Sequence, residues 1–426
     1  MVRDWTRGER TNARQGRRPP VGGIVLLVFA LVAPARAHEA ALAPVLRVGT
    51  SGDYAPFSFR TADGQLTGFD VRVVERLAAD LGRRVELVGF QWPDLLEQLE
   101  TGAFDVAMSG VTVRPERAVW VNFTRPYART GAVAVIRSRD HARFRTLATL
   151  DRPAVRIAVN RGGHLEQVAR TKFPHAHVVA IANNTALPDL LRRGRAAAVI
   201  SEELEARTWR GQDLGILGPF THDRKAYAVR RGTGDLLRQV DNWLAAREAD
   251  GWLNTQRQRW LGEQATLTPP QATFEALGGA IALRLQLMPA VAAVKRREHL
   301  PIEDPAQEAR VIERVRAAAR SAGLNPEDVA ELFHVQMAVA KAVEQHAAQG
   351  AAPPNASLAD LRAAVATVSD QVIVELARCQ PWLQDATYRR DLAHTVRDSL
   401  TMPGLSPALV TQLVDALLGV HPAGAG

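Results

Sequence analysis

The sequence predicts a multidomain chain, an α/β part followed by an all-α part. Two observations carry this. Between about residues 45 and 262, short β-branched runs alternate with amphipathic stretches, the pattern of α/β architecture with largely parallel sheets. After Thr268-Pro269-Pro270-Gln271 the apolar period becomes 3.6 and stays there, which reads as helix throughout. A chain of 426 residues has room for two or three proper cores.

Residues 1–37 carry seven Arg against Asp4 and Glu9, a charge of +5 out of the formal +8, so the remainder is only +3. That remainder argues little for nucleic acid. The Arg-rich stretch, the apolar run Val21 to Val32 and Ala35-Arg36-Ala37 are the charged, apolar and small-residue regions of a secretory signal. The run is too short for a permanent bilayer anchor. Pro19-Pro20 after Arg17-Arg18 weakens a twin-arginine reading. No other segment reads as apolar enough to cross a membrane. The expectation is a signal peptide at 1–37 and a soluble protein exported to the periplasm or beyond, with no membrane contact after cleavage.

VLRVGT opens the α/β part as a strand, with GFDVRVVERLAADLG as a helix and VELVGF as a strand after it. WPDLLEQLETG reads as a helix and AFDVAMSG as a strand ending in small residues. VRIAVN, AHVVAI and AAAVIS are further strands, separated by helices beginning near His164 and Thr185. KAYAVRR is a strand before a long helix from Gly234 to Leu261. In sheets of this kind ligands lie beyond the carboxyl ends of the strands.

Residues 263–272 read as a linker. Helices follow at about 273–298, 305–322, 326–349 and 358–378, with shorter ones beyond. Asp304-Pro305 and Asn325-Pro326 each pair a capping residue with proline at the first helical position. Gly323 suits a helix C-terminus. Residues 351–355 read as a loop, and only the leader and the tail after His421 are expected to lack order. The most informative stretch is AIALRLQLMPAVAAVKRREHLPIEDPAQEARV. Arg284 and Lys295 lie eleven residues apart, three helical turns, so both point off one face. Two cations on one stripe of an Ala/Val/Leu helix suit a small dianion held inside a bundle.

Cys379 is the single cysteine, so no intramolecular disulfide forms; it reads as a small buried hydrophobe. His164, His175 and His177 lie close in sequence, but without a carboxylate or thiol at metal spacing. No metal is expected, and the latter two are expected on a solvated surface. The chain has 49 Arg and only four Lys: Lys172, Lys225, Lys295 and Lys341. In such a chain a retained Lys marks either a need for a compact ammonium or chance.

GTSGDYAPFSF, DGQLTGFDVRV and FDVAMSGVTVRPERAVWVNFTRPY resemble the type II periplasmic solute-binding proteins over about 44–262. The resemblance implies a two-lobed domain over 38–262 that closes on a ligand. Lobe one would be about 44–135 plus 221–262, and lobe two about 136–220. Arg117 falls on the arginine that grips the ligand carboxylate in amino-acid-binding members, and a bidentate guanidinium suits that planar group. NRGGHLEQVA and DRKAYAVR resemble segments of the cyclohexadienyl dehydratases, enzymes built on this fold. Glu166 falls on that family's catalytic glutamate. From the pattern alone, Glu166 is a helix-start residue favoured by the helix dipole. The resemblance implies that prephenate loses carbon dioxide and hydroxide, with Glu166 giving the hydroxide its proton from a closed cleft. Arg117 and Lys225 would hold carboxylates, Ser109 and Thr112 would give hydroxyls, and Asn160 and Tyr54 are lesser candidates. Ser201-Glu202 departs from the family, whose receptors have an aspartate there for an amino group. Glu202 therefore weakens an amino-acid-receptor reading and leaves prephenate against arogenate open.

AVKRREHLPIEDP and the helices after it resemble the all-helical chorismate mutases, in particular the secreted subclass, over about 273–380. The resemblance implies an all-helical mutase domain at 273–426 with a complete site in one chain. Arg284 and Lys295 fall on cationic positions, Asp304 and Glu308 on a polar wall, and Arg362 on a carboxylate-binding arginine. Glu344 falls where a Gln or Glu faces the ether oxygen. A Claisen rearrangement needs no nucleophile or base, only a held substrate pose and stabilised charge on that oxygen; Lys295 and Glu344 would flank it. Gln307 stands where the family has arginine. It either hydrogen-bonds a carboxylate without neutralising it, or completes a capping box with Asp304. Arg310 lies one turn on, and Ala340 replaces a hydroxyl residue of many members.

The two implied reactions are consecutive. The leading reading is an exported bifunctional enzyme taking chorismate through prephenate to phenylpyruvate, with no metal or organic cofactor and no nucleic-acid partner. The alternatives are a carboxylate or amino-acid receptor fused to a mutase, and a fusion with a single activity.

Overall fold

The computed structural model describes residues 44–424 apart from 210, 212 and 348–354. The expected signal peptide and most of the 351–355 loop lie outside the described residues. Strand β1 (Val45–Thr50) opens the first lobe, burying Leu46 and Val48 with the period of two a strand imposes. Helix α1 (Phe69–Asp80), β2 (Arg84–Gly89), α2 (Leu95–Glu100), β3 (Val106–Ala107), β4 (Val121–Phe123) and β5 (Ala128–Thr130) follow. The chain then crosses to a second lobe of β6 (Ala132–Arg137), β7 (Arg156–Asn160), α3 (His164–Lys172), β8 (His177–Ile181), α4 (Leu187–Arg192), β9 (Ala198–Glu202) and β10 (Leu214–Leu217). It returns through β11 (Asp223–Lys225) and β12 (Ala228–Arg230) to α5 (Gly234–Ala249) and α6 (Trp252–Leu261). The single helix expected at 234–261 is thus two, broken at Gly251, whose φ of 78° is a left-handed conformation open to glycine.

Each lobe holds a five-stranded sheet, β2-β1-β3-β12-β4 in the first and β8-β7-β9-β6-β10 in the second. The expectation of largely parallel sheets is corrected. β1 pairs parallel with β2 and β3, and β7 with β8 and β9. β12 and β6 run antiparallel to their neighbours. The parallel strands end at the cleft between the lobes, whereas a chain crossing that cleft enters its new sheet there and must run away from it. The two crossing segments touch. A Cβ at Gly131 would sit 2.3 Å from the Thr221 carbonyl oxygen, and the Ala132 N–H donates to Thr221 Oγ1 at 2.7 Å.

The helical half comprises α7 (Pro269–Gln286), α8 (Met288–Arg297), α9 (Pro305–Ser321), α10 (Pro326–His346), α11 (Leu358–Cys379), α12 (Ala386–Ser399) and α13 (Pro407–Leu418). Thr268 and Gln271 form a capping box, so α7 starts inside the segment expected as linker. α7 and α8 replace the one helix expected at 273–298, because Pro289 has no N–H for the preceding turn and its ring crowds that turn. The tail is also corrected: the His421 N–H donates to Asp328 Oδ2 at 3.0 Å, and the Ala423 N–H to the Gly323 carbonyl. By length and hydropathy Pro269–Arg297 is apolar enough to cross a membrane, contrary to the expectation for segments beyond the leader. Its most apolar window is 67% buried in the protein, which is the position of a core helix pair.

One hydrophobic cluster runs from Phe104, Val119 and Phe123 of the first lobe into Leu277, Leu283 and Val372 of the helical half. The second lobe has separate clusters. At the junction Arg125 and Glu375 form an almost fully buried ion pair at 3.5 Å. Gln371 Nε2 donates to the Phe123 carbonyl at 2.6 Å. Arg224 donates to Ser399 Oγ at 2.6 Å and pairs with Glu275 at 3.5 Å. Cys379 is fully buried, and burial pushes its thiol pKa up.

Candidate active sites

The helical half encloses a cavity of about 390 Å³, within the range of small-molecule sites. α7 contributes Arg284, α8 Lys295, the start of α9 Asp304, Gln307 and Glu308, α10 Glu344 and α11 Arg362; all seven line it. The Arg284 Nε donates to Ser369 Oγ at 3.2 Å, and the guanidinium lies 5.5 Å from the Phe333 ring centre. Burial pushes its pKa down to about 10. One terminal nitrogen is buried with no hydrogen-bond partner among the described residues, a donor ready for an anion. Lys295 Nζ donates to Glu344 Oε2 at 2.9 Å and to the Ile302 carbonyl at 2.7 Å. Burial raises the Glu344 carboxyl above its ordinary range, against the hydrogen bond and charge of Lys295.

Asp304 caps α9 through the Gln307 N–H at 3.0 Å and accepts from Arg362 at 2.8 Å. The Gln307 N–H and the Arg362 charge hold its carboxyl below the usual range. Only half of the expected capping box forms, because the Gln307 side chain accepts from Arg310 at 2.8 Å rather than from backbone. Glu308 pairs with Lys341 at 3.0 Å. Two lining cations were not named as site residues from sequence, Lys341 and Arg314, and Arg310 was named only as lying one turn beyond Gln307. Lys341 is one of only four lysines, which is a usable signal; Arg310 and Arg314 follow Gln307 at helical spacing. The lining holds six cations (Arg284, Lys295, Arg310, Arg314, Lys341, Arg362) against three carboxylates (Asp304, Glu308, Glu344).

The cleft between the lobes is nearly closed, with about 30 Å³ of cavity. Thr112, Arg117, Asn160, Lys225 and Tyr54 line it as expected, joined by His164, Asn184, Glu202 and Glu205. Lys225 Nζ donates to Glu202 Oε1 and Thr112 Oγ1, each at 2.7 Å, and to the Tyr54 hydroxyl at 3.3 Å. Glu202 Oε2 accepts from Thr130 Oγ1 at 3.0 Å. Arg117 reaches the Thr112 carbonyl at 3.3 Å, and burial pushes its pKa down to about 10.

Two expectations are corrected here. Ser109 is fully buried behind the cleft wall, its hydroxyl within 2.9 Å of Ser51 Oγ and 2.6 Å of Ser58 Oγ. Glu166 does not line the cleft. Its carboxylate accepts from the Gly162 N–H at 2.8 Å and from Arg170 at 2.8 Å. Against partial burial, these two partners hold its carboxyl below the ordinary range, so it stays ionised and caps its own helix. Glu205 was missed from sequence. Burial raises its carboxyl to about 8, and it is bonded to Ser201 Oγ at 2.7 Å and Asn184 Nδ2 at 2.6 Å.

Residues 46–263 match the bacterial extracellular solute-binding proteins, family 3, and residues 275–345 match chorismate mutase type II. The chain is similar to the cyclohexadienyl dehydratase of Pseudomonas aeruginosa, 35% identical over 222 residues that cover 51% of this chain and 82% of that one. It is similar to the L-cystine-binding protein TcyJ of Escherichia coli, 29% identical over 60% of this chain and 98% of that one. A crystal structure of an ancestral amino acid-binding protein, described as a precursor of cyclohexadienyl dehydratase, matches with a TM-score of 0.50 at 34% identity. That match covers 51% of this chain and 95% of the other. With more than half of its length in the match, the chain belongs to the bacterial extracellular solute-binding proteins of family 3, and a chorismate mutase type II region follows in the same polypeptide.

Proposed function

We propose that the chain is an exported, periplasmic bifunctional enzyme of phenylalanine biosynthesis. The helical cavity rearranges chorismate to prephenate, and the interlobe cleft decarboxylates and dehydrates prephenate to phenylpyruvate. The observation that carries the proposal is the gathering of seven residues, named from sequence, around one cation-rich cavity. Chorismate is a dianion, and the excess of lining cations suits it. Arg284, with its spare donor, takes one carboxylate; Arg362 and Arg310 lie on the opposite helices for the other. Gln307 orients Arg310 and so brings a cation to the side where the family has arginine. As the ether C–O bond breaks, negative charge collects on oxygen. Lys295 stabilises it from one side, and protonated Glu344 donates from the other.

In the cleft Arg117 is the anion grip with fewest protein partners, and Lys225 is the second cation. The lobes part to admit a ligand, since the closed cavity is far smaller than prephenate. Similarity to a cyclohexadienyl dehydratase supports the second activity, and membership of an extracellular family supports export. One observation favours a receptor for a carboxylate or amino-acid ligand instead: Glu166 lies outside the cleft. The test is to give the purified protein chorismate alone and follow both products. Phenylpyruvate supports the bifunctional enzyme, prephenate that accumulates leaves only the mutase, and no reaction favours the receptor. A parallel assay with arogenate decides whether the amino analogue is also a substrate.

A further inference from the structure

We infer that the pole of the second lobe remote from the cleft is a docking surface for a bilayer of anionic phospholipid. β7, β8 and β9 point their carboxyl ends at the cleft, so their first residues lie at the opposite end of the sheet. The register sets Arg156 beside His177, Ile157 beside Ala198 and Ala198 beside Ile136. β6 leaves the sheet at that same end, and β10 enters it there with Leu214 beside Arg137. Three stretches therefore gather at the pole: 137–156 from β6 to β7, 172–177 from α3 to β8, and 189–197 from α4 to β9. With Asp213, just before β10, they hold ten Arg and Lys against four Asp, a net charge of +6. Residues 38–426 as a whole carry only +3, so the rest of that length is at −3. The basic excess sits at one end of one lobe.

The four carboxylates there are already engaged. Asp140 pairs with Arg137 at 2.6 Å, Asp151 with His175 at 2.7 Å, Asp189 with Arg193 at 3.8 Å and Asp213 with Arg192 at 3.0 Å. Arg139, Arg143, Arg145, Arg152, Arg156 and Arg195 are exposed, and none is in an ion pair among the described residues. Five strands about 4.8 Å apart give this end of the sheet a width of roughly 20 Å, a broad face rather than a pocket. Free guanidinium groups spread over such a face attract an extended anionic surface within a Debye length, about 8–10 Å. Phosphate headgroups also match the guanidinium fork. A protein partner fits less well, because the core of a protein interface is apolar or aromatic and poor in charge. The exposed large hydrophobic residues among those described, Val45, Leu87, Ile216, Leu300 and Val374, all lie outside the three stretches. Membership of an extracellular family favours a lipid headgroup layer over nucleic acid as the polyanion. Docked by this pole, the protein holds its cleft away from the bilayer and open to solutes.

The full chain is sedimented with vesicles of phosphatidylglycerol and phosphatidylcholine in equal parts, and with vesicles of phosphatidylcholine alone. Two triple variants that change net charge equally are compared with it. One is Arg139→Glu/Arg145→Glu/Arg152→Glu at the pole, and the other Arg320→Glu/Arg390→Glu/Arg397→Glu on the helical half. Residues 1–37 are common to all three proteins, and urea unfolding checks that each is folded. Wild type binds the anionic vesicles at least about tenfold more strongly than the neutral ones, and loses that preference between about 50 mM and 500 mM salt. The pole variant loses at least about tenfold of the anionic binding, in line with roughly fivefold for each arginine, and the helical-half variant stays within about threefold of wild type. If the Glu substitutions unfold the lobe, Gln at the same three positions carries the same comparison. Wild-type binding that ignores lipid charge overturns the inference, as does a pole variant that binds like wild type or two variants that fall alike. Tighter binding of a double-stranded DNA oligonucleotide than of the anionic vesicles also overturns it, in favour of nucleic acid.

Discussion

Glu344 and Lys295 meet at 2.9 Å on the wall of the helical cavity, and the protonation of that carboxyl sets how the pair works. Burial raises its pKa, so the acid form, the one able to donate, persists to higher pH than on an exposed Glu. Mutase kcat/KM should therefore fall as pH climbs through the raised pKa, and Glu344→Gln should remove that fall. Superimposable pH–rate profiles of the two proteins would exclude the role. Lys295→Met should lower mutase kcat roughly 10²–10³-fold while prephenate turnover stays within about twofold, each followed by its own product. These residues were legible because most come from one stretch, 284–308, although the structure spreads that stretch over three helices that meet round one cavity rather than on one face. Lys341 was passed over, although the scarcity of lysine gave a signal for it. The orientation of Glu166 was not. Its place at a helix start is a local pattern, but the Gly162 N–H and Arg170 decide which way the carboxylate turns, and both lie within a single turn of it.

Among the elements, the paired crossing segments approach each other closely. A side chain at Gly131 has no room beside the Thr221 carbonyl, and Thr221 fixes Asp223. Gly131→Ala should cost about 1–3 kcal/mol, the usual size of a forced backbone shift. It should lower prephenate turnover and leave chorismate turnover within about twofold. Urea unfolding and the two assays measure these separately; equal loss of both activities would contradict the placement. The alternation of strands and helices is readable from the hydrophobic pattern of 45–262. Strand direction is not, because it depends on which strands enter from the cleft, a property of the chain path rather than of any segment. The break at Pro289 is readable in principle, since proline inside a helical pattern carries its own steric rule.

The whole molecule is joined through the first lobe. Glu375→Ala should cost roughly 3–5 kcal/mol by leaving Arg125 buried and unpaired. The double change Arg125→Met with Glu375→Leu should cost clearly less, and urea denaturation compares them. Asp241 lies at the same junction, its Oδ1 accepting the Arg125 N–H at 2.7 Å, and burial raises its carboxyl to about 7. A folded-state pKa above the unfolded value means that the proton is held more tightly in the folded protein. The stability this adds is complete below about pH 4 and is lost as pH rises through about 7. The urea midpoint should thus fall across that window, and Asp241→Asn should flatten the fall.

Strand β11 belongs to both halves of the molecule. Its middle residue, Arg224, is held by Glu275 and Ser399 of the helical half. Its outer residues, Asp223 and Lys225, bind His164 and Glu202 of the second lobe. The helical half therefore steadies one jaw of the cleft, and the second lobe is the jaw left to swing. An opening of the lobes would part Glu202 from Lys225 and His164 from Asp223 together. On the proposed reading, an arriving carboxylate would meet a freshly bared ammonium, with Glu202 as its built-in rival for that charge, so that only a ligand able to outcompete Glu202 would hold the place when the jaws close again.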